Sequence, residues 1–442
     1  MAEPNPKWAE DLPDSWELSK VVWHYDVQLG KQLKEDEIEG NNLARYLRNQ
    51  DVQWWKVNTD DLPKMDFDPK ERQKYELNQG DILVCEGGEV GRSAVWKEEE
   101  MEYYFQKALH RVRPHSSKYD PRYFCYFMEF GKKSGLFSAG TNQSTIEHLT
   151  AEKLKRQTIP VPPADEQTRI ADYLDKERRR IDQLKSKYQD LFNSSHELIE
   201  VKTRDAVTGE TNSSVSKESE VNWIGEVPEH WDVVRTRFVA ELHSGHTPDR
   251  SNEEYWEDTD IPWVTTSDIK PFREGRKRYL YETEHQISKL GMENSGAHFL
   301  PEGTVFLSRT ASVGFSGIMG EPMATSQDFA NWVCGDELIP EYLLYVFRSM
   351  DQEFDRLMQG STHKTIYMPD IKSFKTPLPP LEEQREIVDH IETETERLWE
   401  LIDRVEETIG LLEEKRQALI TAAVTGQIDV SDVKNEAKAS HT

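Results

Sequence analysis

The chain has 442 residues, 36% hydrophobic and 31% charged, with a formal charge of −27 at pH 7. No apolar run approaches the ~18 residues a membrane-spanning helix needs, and the polar, acidic first segment lacks the pattern of a secretory signal. Cys85, Cys125 and Cys334 lie far apart without metal-ligand spacing, so no metal site is expected and buried thiols in a reducing cytoplasm are.

Residues 1–163 are rich in aromatics and in short β-like runs bounded by Gly, Pro, Asn and Asp, the composition of an α+β globular domain. Asp81 to Cys85 reads as a strand closed by a Gly87-Gly88 turn, and Pro121 to Phe130 reads as a short helix. Pro160-Val-Pro-Pro163 ends the domain. A helix is predicted over 164–207, with Asp165 as its N-cap. Leu174, Ile181 and Tyr188 recur every seventh residue, with Leu184, Leu191 and Leu198 interleaved, which predicts a coiled-coil seam. Residues 208–222, rich in Ser, Glu and Asn, read as a linker.

The pattern then repeats. Residues 223–380 form a second α+β domain, 381–426 a second long helix, and 427–442 a tail expected to be disordered. Ile391, Leu398, Val405 and Leu412 supply the second seam, with Leu401 between. Each helix is expected to run about 60 Å. Glu166-Gln167 recurs as Glu383-Gln384, and Val207-Thr208-Gly209 as Val424-Thr425-Gly426, both shifted by 217 residues. Trp8, Pro13 and Trp16 recur as Trp223, Pro228 and Trp231, shifted by 215. Gly140 and Ile146 are matched to Gly360 and Ile366. Such a frame is an internal repeat.

Little in the chain resembles catalytic machinery. It contains no phosphate-binding G-x-x-x-x-G-K-[ST], His-Glu-x-x-His, C-x-x-C or G-x-S-x-G. Glu86 to Gly91 is read as a hairpin turn, because its counterpart, Arg309 to Gly314, has lost the glycines. His110 and His115 are read as core or surface histidines. What remains is polar and basic residues in loops beside aromatics, the side chains that read base edges and grip phosphates. Loop position and residue type select Arg45, Arg48, Lys56, Arg92, Thr141, Asn142, Gln143 and Ser144 in the first half. In the second half they select Thr266, Ser267, Lys270, Arg273, Arg276, Arg309, Thr362, His363 and Lys364.

At this point the chain closely resembles the specificity subunits of type I restriction–modification systems. The resemblance is carried by Pro377-Leu-Pro-Pro-Leu-Glu-Glu-Gln384, Val161-Pro-Pro-Ala-Asp-Glu-Gln167, Trp223-Ile-Gly-Glu-Val-Pro-Glu-His-Trp231, Ser244 to Trp256 and Ile261 to Ile269. The first domain departs from it in lacking the Pro-Trp-x-x-x-x-Asp-Ile motif. The resemblance implies two α+β target recognition domains separated by two long antiparallel coiled-coil helices, with an internal pseudo-two-fold. It implies that each domain reads half of a bipartite site on double-stranded DNA, and that the helices recruit two DNA-methyltransferase subunits and translocase–endonuclease subunits. Methyl transfer to adenine and cleavage would belong to those partners, as would S-adenosylmethionine, ATP and Mg, with no cofactor in this chain. A helical scaffold independent of DNA and a fused nuclease or methyltransferase are the alternative readings. The partners would supply much of the phosphate-binding charge, which offsets the acidity of this chain.

Overall fold

The computed structural model describes residues 7–33, 40–98, 102–137, 148–210, 215–358, 364–428 and 430. These fall into two compact units. One runs up to Lys187 and resumes at Thr408; the other runs from Tyr188 to Glu407. Each unit therefore holds one α+β domain, the start of one long helix and the end of the other.

In the first unit, strand Glu17–Lys20 pairs antiparallel with Thr158–Val161, so the two ends of the domain close on each other. Between them lies a four-stranded sheet ordered Tyr25–Leu29, Leu109–Pro114, Ile82–Cys85, Ser93–Val95. The last two strands form an antiparallel hairpin, so Glu86 to Gly91 is a turn, as its residues suggest. Helix Pro121–Lys133 starts on Asp120, whose carboxylate accepts from the Arg122 amide, with Pro at its first position. Its Tyr123, Phe124 and Phe127 enter a core with Trp16 and Leu174, and with Ile420, Ala423 and Val424 from the end of the second long helix.

The second unit repeats this plan. Strand Asp232–Arg235 pairs with Lys375–Leu378, around a five-stranded sheet that includes Ala240–Ser244, Val305–Ser308 and Phe329–Cys334. Helix Pro340–Arg348 packs on Trp231, Ile387 and Ile391, and on Ala206 and Val207 from the end of the first long helix. Part of the expected linker is ordered: Ser216–Glu218 is a strand paired with Glu226–Pro228. The rest of its centre and most of the expected tail lie outside the described residues.

The long helices span Ala164–Thr208 and Leu381–Val424. The first opens one residue before its expected cap, because the Pro163 carbonyl already accepts from the Glu166 and Gln167 amides at 2.9 and 3.0 Å. Asp165 instead pairs with Arg169 at 2.6 Å. Both helices end in the same C-cap. Gly209 and Gly426 take φ of 78° and 72°, and the next amide reaches back five residues, Glu210 to Asp205 and Gln427 to Ala422. The helices run antiparallel. In the first unit Lys185 pairs with Glu413 and Asp182 with Arg416; in the second, Lys202 pairs with Glu394 while His196 meets the Trp399 ring.

Leu174, Ile181, Ile391 and Val405 are buried, and Leu184, Tyr188, Leu398, Leu401 and Leu412 are half-buried. Leu191 departs from the expected seam: it is 39% exposed, and Leu198 42%. The buried positions otherwise keep the seven-residue spacing, at Gln167, Leu174, Ile181 and Ser195 in the first helix and at Val388, Thr395 and Ile402 in the second. The interleaved row of Leu184, Leu191 and Leu198 flanks that face and turns outward along the helix. Ser195 and Thr203 occupy that face with their hydroxyls bonded to the Leu191 and Ile199 carbonyls.

Candidate nucleic-acid interface

In each domain a glycine lets two backbone segments touch, and polar loops gather around the contact. A Cβ on Gly30 would lie 2.3 Å from the Gln106 carbonyl oxygen, and one on Gly245 would lie 2.0 Å from that of Ser326. The following amides complete the equivalence: Lys31 donates to the Phe105 carbonyl at 3.1 Å, and His246 to that of Thr325 at 3.0 Å. The 215-residue shift between these glycines matches the frame of the repeat. Both were therefore legible in the sequence, although their role was not.

In the second domain five segments converge here. Ser326 donates to the Val264 carbonyl at 2.9 Å, the Arg309 Nε to that of Gln327 at 2.9 Å, and the Ala311 amide to that of Lys364 at 3.0 Å. Thr247 bonds the Gln327 side chain. Trp263 fixes the His246 carbonyl through its Nε1 at 3.2 Å. Thr266, Ser267 and Lys364 are exposed beside this cluster's backbone, together with His246 and Gln327, which loop reading had not selected. Asp268 holds the Thr265–Ser267 turn by accepting from the Thr265 amide at 2.7 Å.

In the first domain the corresponding place is a cleft of about 610 Å³ whose lining includes Gln32, Asn49, Gln106, Lys107 and His148. Asn49 organises it: its Nδ2 donates to the Gly87 carbonyl at 3.0 Å, and it accepts Arg92 Nη2 at 3.0 Å through its own side chain. Arg92 is thus turned inward. Arg48 is also held, by two bonds to Asp51 at 2.9 and 2.8 Å, and these raise its pKa above the ordinary arginine value. Arg45 and Lys56 are exposed on strands Leu43–Leu47 and Lys56–Val57. The Leu149 amide bonds the Glu86 carbonyl as Ile366 bonds that of Arg309. Leu149, and not Ile146, is therefore the counterpart of Ile366, and the frame here keeps the 217-residue shift. Thr141, Asn142, Gln143, Ser144, Thr362 and His363 lie outside the described residues.

The basic run Lys270 to Arg278 divides. Lys270 and Arg273 are exposed, the latter 5.9 Å from the Phe315 ring centre. Arg276 is committed elsewhere: its Nη1 donates to both carboxylate oxygens of Asp403 on the second long helix, each at 2.8 Å. His110 is fully buried and bonds the Leu149 carbonyl at 2.7 Å, and burial lowers its pKa. Among the described residues no group of three or more His, Cys, Asp or Glu is placed to hold a metal. No helix among them is long and apolar enough to cross a membrane.

The fold defines a tandem-repeat protein with a polar loop cluster in each domain. A family model for the type I restriction modification DNA specificity domain matches residues 31–191 and 228–411. The MjaIX specificity subunit of Methanocaldococcus jannaschii is 31% identical over 166 residues, 37% of this chain and 38% of that one. The MjaVIII specificity subunit of the same organism is 21% identical over 444 residues, 96% of this chain and 95% of that one. A chain from a structure concerned with complex assembly and conformational transition of the type I R-M system superposes with a TM-score of 0.73. It shows 17% identity and covers 95% of this chain and 100% of its own. The HsdS subunit of Thermoanaerobacter tengcongensis gives 0.53, at 17% identity and 94% and 98% coverage. This chain belongs to the type I restriction–modification DNA specificity family, as a specificity subunit with two such domains.

Proposed function

We propose that the chain reads a bipartite DNA target, one half-site per domain, and presents it to DNA-methyltransferase and translocase–endonuclease subunits. One observation carries this reading: the loop clusters at Gly30 and Gly245 occupy the same place in the repeat but hold different side chains. Like frames with unlike contents suit two different half-sites. In the first domain the reading assigns Gln32, Gln106, Lys107 and His148 to the DNA face. In the second it assigns His246, Thr266, Ser267, Gln327 and Lys364. Exposed Leu191, Leu198 and Val201 on the first long helix suit an apolar contact with a partner subunit. The chain itself is non-catalytic in this reading and acts in the cytoplasm. S-adenosylmethionine, ATP and Mg serve the partners.

The test is to co-express the chain with its neighbouring methyltransferase and sequence the host genome for modified adenines. A two-part methylated motif that vanishes when this chain is deleted supports the reading. Persistence of the motif without the chain overturns it. Replacing Gln327 and Lys364 by alanine should alter one half of the motif and leave the other intact.

A further inference from the structure

Each domain is seated on the long helices by a set of contacts at equivalent places; both domains set arginines on helix acids, Arg122 on Asp172 and Asp175 in the first, but one place carries opposite charge in the two domains. The equivalence is anchored by helices Pro121–Lys133 and Pro340–Arg348, whose Tyr123 and Tyr342 make matching bonds. Tyr123 donates to the Pro160 and Val424 carbonyls, and Tyr342 to those of Pro377 and Val207. Counting from these tyrosines, Tyr126 matches Tyr345, and Glu129 matches Arg348. One position thus carries an acid in the first domain and a base in the second.

The helix side differs there as well. In the first unit Glu129 is 8% exposed and pairs with Arg416 of the second long helix at 3.0 Å. It also accepts the Trp55 Nε1 at 2.9 Å. The Trp55 ring lies 4.0 Å from that of Tyr126 and 4.8 Å from the Arg178 guanidinium of the first long helix. In the second unit the domain supplies the bases. Arg276 donates through Nη1 to both oxygens of Asp403 and Arg278 pairs with Glu392, both acids on the second long helix. Arg348 holds their loop through the Gly275 and Lys277 carbonyls, the latter at 2.6 Å. Under the 217-residue frame, Arg178 corresponds to Thr395, Arg416 to Ile199, and Asp403 to Ser186. Glu392 keeps the charge of its counterpart Asp175, which pairs with Arg122 of the first domain, whereas Arg178, Arg416 and Asp403 have uncharged counterparts. Tyr345 and Arg348 line a cavity of about 500 Å³, where the first unit has the Trp55 ring tilted against that of Tyr126.

We infer that these contacts key each domain to its own seat on the helices. In the other seat, the second domain would bring Arg348 against Arg178 and Arg416 and set Arg276 opposite Ser186 in place of Asp403, while Arg278 would meet Asp175 in place of Glu392. The first would bring Glu129 to a site with Glu392 and no arginine. An unpaired charge in a half-buried joint is costly, and like charges there repel. The inference concerns how the domains are held and stands whatever they bind.

Hydrogen exchange on the full-length chain tests it, read at residues 52–57 and 270–278. Arg416→Glu should speed exchange at 52–57 by about tenfold or more, and Glu129→Arg combined with it should recover most of that protection. Asp403→Lys should do the same at 270–278, with recovery on adding Arg276→Glu. In a chain with residues 17–161 and 232–378 exchanged, both segments should lose protection. Arg416→Glu should then restore part of the protection of the transplanted 270–278 loop. Unchanged exchange in the single variants, no recovery in the doubles, or full protection in the exchanged chain would each overturn the inference. If the exchanged chain does not fold, the point variants decide alone.

Discussion

Gly209 and Gly426 show how much a single residue fixes. Each closes a long helix in a left-handed conformation, and each lies against a proline of the repeat frame: an added Cβ would sit 2.5 Å from Pro228 Cδ or 2.3 Å from Pro13 Cδ. Gly209→Ala should therefore lower stability by about 2 kcal/mol, read by denaturant unfolding. Alanine at Gly225, where φ is 68° but nothing lies within 4 Å, should cost only the backbone term, about 1 kcal/mol. His110 gives a pH dependence of definite sign. Burial depresses its pKa in the folded chain, so on acidification the unfolded chain takes up a proton the folded one refuses. Stability from this site should be complete above about pH 6.5 and decline as pH falls toward the folded-state value. Unfolding curves of His110→Gln should show a shallower acid slope; an unchanged slope would place the titration elsewhere. Burial likewise pushes the Cys125 thiol up to about 12, which leaves almost no thiolate at pH 8. Alkylation of Cys125 should appear only on unfolding, as mass spectrometry of iodoacetamide-treated protein would reveal.

At the scale of elements, the Pro-Pro-x-x-Glu-Gln signature has a clear structural reason. Gln167 and Gln384 are buried at 1% and 0% exposure. Each donates to the carbonyl five residues back, at Pro162 and Pro379, and accepts the amide of Asp120 or Ile339. One side chain thereby ties the start of a long helix to the start of a domain helix. The sequence revealed the repeated motif because both copies face this same constraint. It revealed the long helices because their charge and apolar spacing are local properties. Of the seam positions only Leu191 and Leu198 are exposed, because the buried row through Leu174 and Ile181 is continued by Ser195 and not by the leucine row beside it. Arg276 and Arg92 looked like ligand-facing bases because their acceptors, Asp403 and Asn49, are distant in the chain, and residue type does not indicate where a side chain turns. Gly410 lies inside the second long helix with no neighbour near its Cβ position. Gly410→Ala should stabilise the helix by about 0.5–1 kcal/mol, seen as a higher unfolding midpoint. Reduced assembly with partner subunits in that variant would mark Gly410 as a contact site.

For the molecule as a whole, charge is the dominant quantity. A chain with net charge −27 is a poor polyelectrolyte partner for DNA unless basic side chains are gathered locally. Several of its arginines, among them Arg48, Arg92, Arg276 and Arg416, are spent on internal acids and carbonyls. The chain alone should therefore bind DNA weakly and with a shallow salt dependence, fewer than about three phosphate contacts by the slope of log K against log salt. A steep slope for the isolated chain, measured by anisotropy titration, would contradict this account.

The core of the first unit includes Ile420, Ala423 and Val424, about 260 residues of chain beyond that domain's own last strand. During synthesis the first domain is extruded long before the helical end that completes its core exists, whereas the second domain meets Ala206 and Val207 already made. The halves are alike in structure but unequal in time. The earlier one must wait with Trp16 and Tyr123 incompletely covered, through a loop closure that only the end of translation allows. Ribosome stalling or truncation between Glu407 and Ile420 should thus damage the first domain before the second, although the lesion lies nearer in sequence to the second.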